Sequence, residues 1–157
     1  MIKLKMKILI VIFLMSNSFL FSQSSKEYHL NMANTTVTGW LNNLNTGEYN
    51  LCYEEMSLKI KEKTDSLDII NMLKFEMETF GSFINRKMIL GEFCINPRLI
   101  DKDLPNVPDG YYALFIFETI YENWDLSNDH TETLWLHQDD KSRWRILDYN
   151  LLYTIKR

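Results

Sequence analysis

The chain is short of the residues that most often announce chemistry or sharp turns: its 157 residues include two cysteines, three histidines, three prolines and five glycines. There is no glycine-rich phosphate loop, no nucleophile elbow, no His-Glu-x-x-His and no Cys-x-x-Cys, which removes the motif-bearing nucleotide, hydrolase, zinc and dithiol classes. His29, His130 and His137 show no ligand spacing, so no metal site and no cofactor are expected. Basic residues are also in deficit, 17 Lys and Arg against 21 Asp and Glu, and they form no Lys/Arg-rich face. Such a surface repels phosphate backbones, so nucleic acid is excluded as a partner.

What is present begins with Met1 to Lys7, which carries three lysines and no acid, followed by the wholly apolar run Ile8 to Met15. This is the pattern of a secretory signal peptide, with a cut after Ser22. The apolar run is broken at Ser16-Asn17-Ser18, well short of the roughly 20 residues that a membrane span needs, so no stable membrane anchor is expected. The sequence therefore predicts a signal peptide over 1–22 and a single domain over 23–157, exported to the periplasm or secreted. Loss of the three lysines leaves 14 basic against 21 acidic side chains, a net charge of −7. Apolar residues at 46% and aromatics at 13% are ample for one packed core and exclude intrinsic disorder. In an oxidising compartment Cys52 and Cys94 are either partners in one disulfide or two buried thiols.

Periodicity divides the domain at Gly81. Before it, Leu30, Ala33, Val37, Trp40, Leu41 and Leu44 recur at helical spacing behind the capping pair Ser24 and Glu27, and Asn45-Thr46-Gly47 ends that helix. A second helix presents Tyr49, Cys52, Tyr53, Met56 and Ile60. A third, capped by Asp65 or Ser66, presents Leu67, Ile70, Leu73, Met77 and Phe80 and stops at Gly81. Beyond Gly81 the period is two: strands are expected over Lys87–Asn96, with Gly91 as a bulge, then Tyr111–Glu122, Thr131–Gln138 and Arg143–Thr154. Pro108-Asp109-Gly110 is the structural turn that launches the second strand, because proline presets φ, aspartate bonds the backbone ahead and glycine accepts dihedrals that other residues resist. The expectation is an α+β fold, three N-terminal helices packed on a curved four-stranded antiparallel sheet.

Leu104-Pro105 with Pro108-Asp109-Gly110, then Tyr112, Phe117, Glu132-Thr133, Trp144-Arg145 and Tyr149, resembles the bacterial exported family known as domain of unknown function 4019, over roughly residues 33–153. The resemblance implies a small exported α+β domain of the cone-shaped cystatin-like or nuclear-transport-factor-like type. It brings no assigned activity and no catalytic residue.

Candidate residues come from laying out the meander. A tight Asp139–Ser142 connection sets Glu132 near Tyr149 and Leu136 near Arg145, and a 123–129 connection sets Glu118 opposite Leu134. Glu118 and Glu132 then become candidate acid/base catalysts in an apolar cone, with Tyr112, Arg145 and Tyr149 as candidate ligand-binding residues. The plainer reading, which we favour, pairs Glu132 with Arg145 at the rim of the sheet. The functional expectation is a non-catalytic binding or accessory module for a small apolar ligand or an envelope protein. The alternatives are a small isomerase or hydrolase, and a self-associating protein whose homodimer forms through an exposed aromatic sheet face.

Overall fold

A computed structural model describes residues 25–95, 97, 110–123 and 129–154. The signal segment 1–22, the capping residue Ser24 and the turn residues Pro108 and Asp109 lie outside the described residues. Helix α1 spans 25–45 and is followed by α2 (Tyr49–Glu54), α3 (Leu58–Lys61) and α4 (Ser66–Phe80). Strands β1 (Phe83–Cys94), β2 (Tyr112–Tyr121), β3 (Asp129–Gln138) and β4 (Trp144–Thr154) form one antiparallel sheet in the order β1-β2-β3-β4. The fold is α+β, with the helices preceding an open four-stranded meander.

The helices form for the reasons their patterns give. In α1, Ala33, Val37, Trp40, Leu41 and Leu44 are all buried, and the Trp40 indole Nε1 donates to the Cys52 carbonyl at 3.0 Å, tying α1 to α2. Asp65 caps α4 by accepting from the Leu67 backbone N–H at 2.8 Å. Gly81 ends α4 at φ 79° and ψ −161°, a backbone conformation that glycine accepts and L side chains rarely adopt, while a Cβ there would also have to push aside the Asn123 amide 2.8 Å away. The buried stripe of α4 is Ile69, Leu73 and Met77, whereas Leu67 and Phe75 are exposed. Ile69 replaces the expected Leu67 and Ile70 because the first turn, held by its cap, points Leu67 outward.

One sequence expectation fails because edge strands need partners. The second helix is split into α2 and α3, because Glu55-Met56-Ser57 leaves the helical path to pair with β4. The Ser57 N–H donates to the Ile146 carbonyl at 2.7 Å, and the Ile146 N–H donates to the Glu55 carbonyl at 3.1 Å. Those bonds satisfy part of the outer edge of β4, which would otherwise stand open. In β1, which starts at Phe83 rather than Lys87, the irregularities fall at Ile84 and Ile89, while Gly91 pairs regularly with Phe115.

The register differs from the expected one. Glu118 pairs with Thr131, Glu132 with Leu151 and Arg145 with His137. Phe115 lies opposite Leu134 and Phe117 opposite Glu132, so odd-numbered residues of β2 share the helix side with even-numbered residues of β3. A bulge between Ile146 and Asp148 then reverses the parity of β4, bringing Ile146 and Tyr149 to the same side. On the opposite face Tyr112, Leu114 and Trp135 are buried together with Cys94, Ile116 and Leu147 against them.

Cys52 belongs to the helix-side core and Cys94 to the opposite face, so the sheet stands between them, and both thiols are free. Burial pushes the Cys52 thiol up to about 12 and the Cys94 thiol up to about 11, so both stay protonated at neutral pH.

Candidate functional site

Two places gather polar side chains: a buried cluster between α4 and the sheet, and a cleft between the α2–α3 break and the β3–β4 hairpin.

The cluster is centred on Glu132, which is fully buried. The bulges in β1 turn Arg86 toward the helix side, where it faces Thr119 of β2. Its guanidinium Nε donates to Glu132 Oε2 in a very short contact, Thr119 donates to the same oxygen at 2.6 Å, and the Tyr121 and Tyr149 hydroxyls donate to Oε1 at 2.7 Å and 3.0 Å. Four donors fill the roughly four lone-pair sites of an ionised carboxylate. Arg86 also lies 4.7 Å over the Phe83 ring and bonds the Tyr121 hydroxyl, and Trp40 packs on Tyr149 at 4.8 Å. Burial, followed by the negative charge of Glu132, pushes both tyrosines well above their ordinary range, so they remain protonated donors. Glu76 of α4 reaches the same neighbourhood with its Oε2 buried and unpartnered, and burial and then Glu132 raise its affinity for a proton.

Glu132 itself is not placed for acid/base work. A general base must present a free lone pair to a reactant, and Glu132 has neither a free lone pair nor solvent access. Glu118, the other candidate carboxylate, is exposed on the opposite face of the sheet. Tyr112 is buried on that same opposite face, beside His137 at 4.8 Å. Arg145 lies at the hairpin with Asp139, 3.5 Å away, so the expected Glu132–Arg145 pair is replaced by Glu132–Arg86. Among the sequence candidates, only Glu132 and Tyr149 meet. Arg86, Thr119 and Tyr121 escaped the sequence reading; the available signal was the two hydroxyls at inward positions of an otherwise apolar β2.

The cleft has a volume of about 380 Å³ and lies under the β3–β4 hairpin. Asp139 organises this hairpin, accepting from the Lys141 N–H at 3.0 Å, the Arg143 N–H at 2.9 Å and the Arg143 side chain at 2.8 Å. With that carboxylate in place the turn tolerates Ser142 at φ 60° without a glycine. Gly110, at φ 154°, lies beneath His137: a Cβ there would come within 3.0 Å of His137 Nε2. Burial alone would push the Asp139 carboxyl up, but the hydrogen bonds from Arg143 and Lys141 outweigh it and hold the group down at about 2. A depressed carboxyl contributes stability above its unfolded value of 3.8 that is lost as pH falls toward 2. Asp139→Asn is therefore expected to flatten the fall in unfolding free energy over that window, measured by urea titration at stepped pH. An unchanged slope would show that Asp139 is not the group responsible.

A family model described as "Protein of unknown function (DUF4019)" matches residues 36–149. The chain belongs to that family. The match runs from the middle of α1 to Tyr149, so the DUF4019 region includes the Glu132 cluster and both walls of the cleft. No curated protein and no solved structure matches the chain. The cystatin-like or nuclear-transport-factor-like label accordingly rests on the resemblance alone. Among the described residues no group of His, Cys, Asp and Glu could hold a metal ion, and no helix is long and apolar enough to cross a membrane.

Proposed function

We propose that this DUF4019 domain is a non-catalytic recognition module, exported by its N-terminal signal, that binds a small ligand or an envelope partner at its surface. The observation that carries the reading is the saturation of Glu132: the carboxylate in the core has four donors and no room for a reactant. The core is filled by Trp40, Tyr121 and Phe115, with the partly buried Tyr149 packed against them. The cleft under the hairpin is a place where a ligand can enter, and its volume lies in the range of small-molecule sites. A homodimer would have to use other surfaces than the sheet's aromatic face, since Tyr112 and Trp135 are buried, whereas Ile84 and Ile89 of β1 and Phe75 of α4 are exposed.

The competing acid/base reading now rests on Glu76, because that carboxyl is raised and unpartnered. The two readings separate when the purified chain is incubated with an extract of its source cells and followed by native mass spectrometry. A recognition module retains a bound mass and leaves the extract unchanged. Depletion of a compound with appearance of a new mass, abolished by Glu76→Gln in a folded protein, would overturn the proposal.

A further inference from the structure

The cleft carries a charge balance opposite to that of the chain. Lys59, Lys61, Lys141, Arg143 and Arg145 line it against the carboxylates of Glu54, Asp139 and Asp140, on a protein whose formal charge is −4. Asp139 pairs with Arg143 and Arg145, and the Glu55 carboxylate acts on Arg145 from outside the lining, which still leaves the cations in excess. Cations are brought together here under partial burial. Lys61 loses proton affinity through burial and then through Arg145, with Arg143 adding to it while Glu54 opposes. His137 loses proton affinity through burial and then Lys59, against the pull of Asp139 and Asp140. A bound anion would relieve that repulsion.

A second observation is independent of charge. Ser57, whose backbone is fixed by its bond to Ile146, is 4% exposed, and its hydroxyl is buried in the cleft wall with no hydrogen-bond partner. A buried hydroxyl left unmatched costs free energy, so an orphan on a cavity wall points to a missing acceptor. Met56 and Leu58 flank it and supply apolar surface beside the cations.

On the reading that the cleft is the binding site, we infer that its ligand is a small organic oxyanion, a carboxylate or phosphate monoester with a short apolar body. Its charged group sits among Lys61, Arg143 and Arg145, where the Ser57 hydroxyl reaches it by turning about χ1 out of its buried position, while its body lies on Met56 and Leu58. The pinned hairpin and the Met56–Ile146 bridge hold both walls in place, so little ordering is needed on binding.

The test titrates the full chain with inorganic phosphate, hexanoate and hexanol at constant ionic strength in chloride, following backbone amide resonances. Saturable shifts confined to Ser57, Lys61 and Arg143 to Arg145 are expected with phosphate or hexanoate. Phosphate binding alone would identify a phosphate group as the natural feature, and hexanoate binding alone a carboxylate. Affinity should fall roughly tenfold in Lys61→Gln and in Arg145→Gln, as for loss of a charge-assisted bond, and less in Ser57→Ala. Each variant is checked for native dispersion of its spectrum. Hexanol binding as tightly as hexanoate, with no response to phosphate, overturns the anion inference and leaves the recognition reading standing. No saturable shift in the cleft with any of the three overturns both.

Discussion

Glu132→Ala is expected to lower the unfolding free energy by about 3–5 kcal/mol, because it strips the partner from a largely buried guanidinium. The side chain of Arg86 is 11% exposed and that of Glu132 is 0% exposed, so neither charge can turn to water when the other is removed. The loss includes acceptors for Thr119, Tyr121 and Tyr149, whose hydroxyls converge on the same carboxylate. Set against a typical total of roughly 5–15 kcal/mol, that is a large share of the stability, and it leaves the chain partly unfolded if the total lies near the lower end. Arg86→Met should cost a comparable amount by leaving the carboxylate unneutralised. The double change Arg86→Met with Glu132→Leu should cost clearly less than the sum of the singles, since no charge is then stranded. Urea unfolding followed by tryptophan fluorescence reads all three variants. A Glu132→Ala loss below about 1 kcal/mol would mean the cluster is hydrated and the structural account of Glu132 is wrong.

Trp40→Ala carries the second large effect, about 3–5 kcal/mol. Trp40 is completely buried, packs on Tyr149 and joins α1 to α2 through the Cys52 carbonyl. Truncation opens a cavity between the helices and β4 and leaves that carbonyl without its donor. Trp40→Phe refills most of the volume but not the hydrogen bond, and should cost about 1–2 kcal/mol from the unmatched carbonyl plus a packing remainder. If the two substitutions prove equally damaging, the hydrogen bond rather than the packing dominates. If both are near neutral, α1 is not held through Trp40.

Much of this architecture is legible in the chain. The helical stripe from Ala33 to Leu44 matches the buried face of α1, Asp65 and Gly81 bound α4, and the four strands follow in the expected order. Those features have short-range causes: apolar period, capping chemistry and a glycine that accepts φ 79°. The α2–α3 break was not legible, because Met56 leaves the helix to satisfy an edge strand some 90 residues further along. Nor was the site. Arg86 lies just outside the strand that periodicity marks, and two bulges bring it to Glu132.

By itself, the sequence determined the class of fold and the order of its elements, since each depends on residues within a turn or two of one another. Tertiary structure alone decided which strand offset and which bulges were used. Both faces of β2 are apolar, so alternation there suits more than one register, and only interstrand hydrogen bonds and helix packing select among them. That selection placed Glu132 and Tyr149 with Arg86 in the core, and left Glu118 and Arg145, the other charged candidates, on separate surfaces.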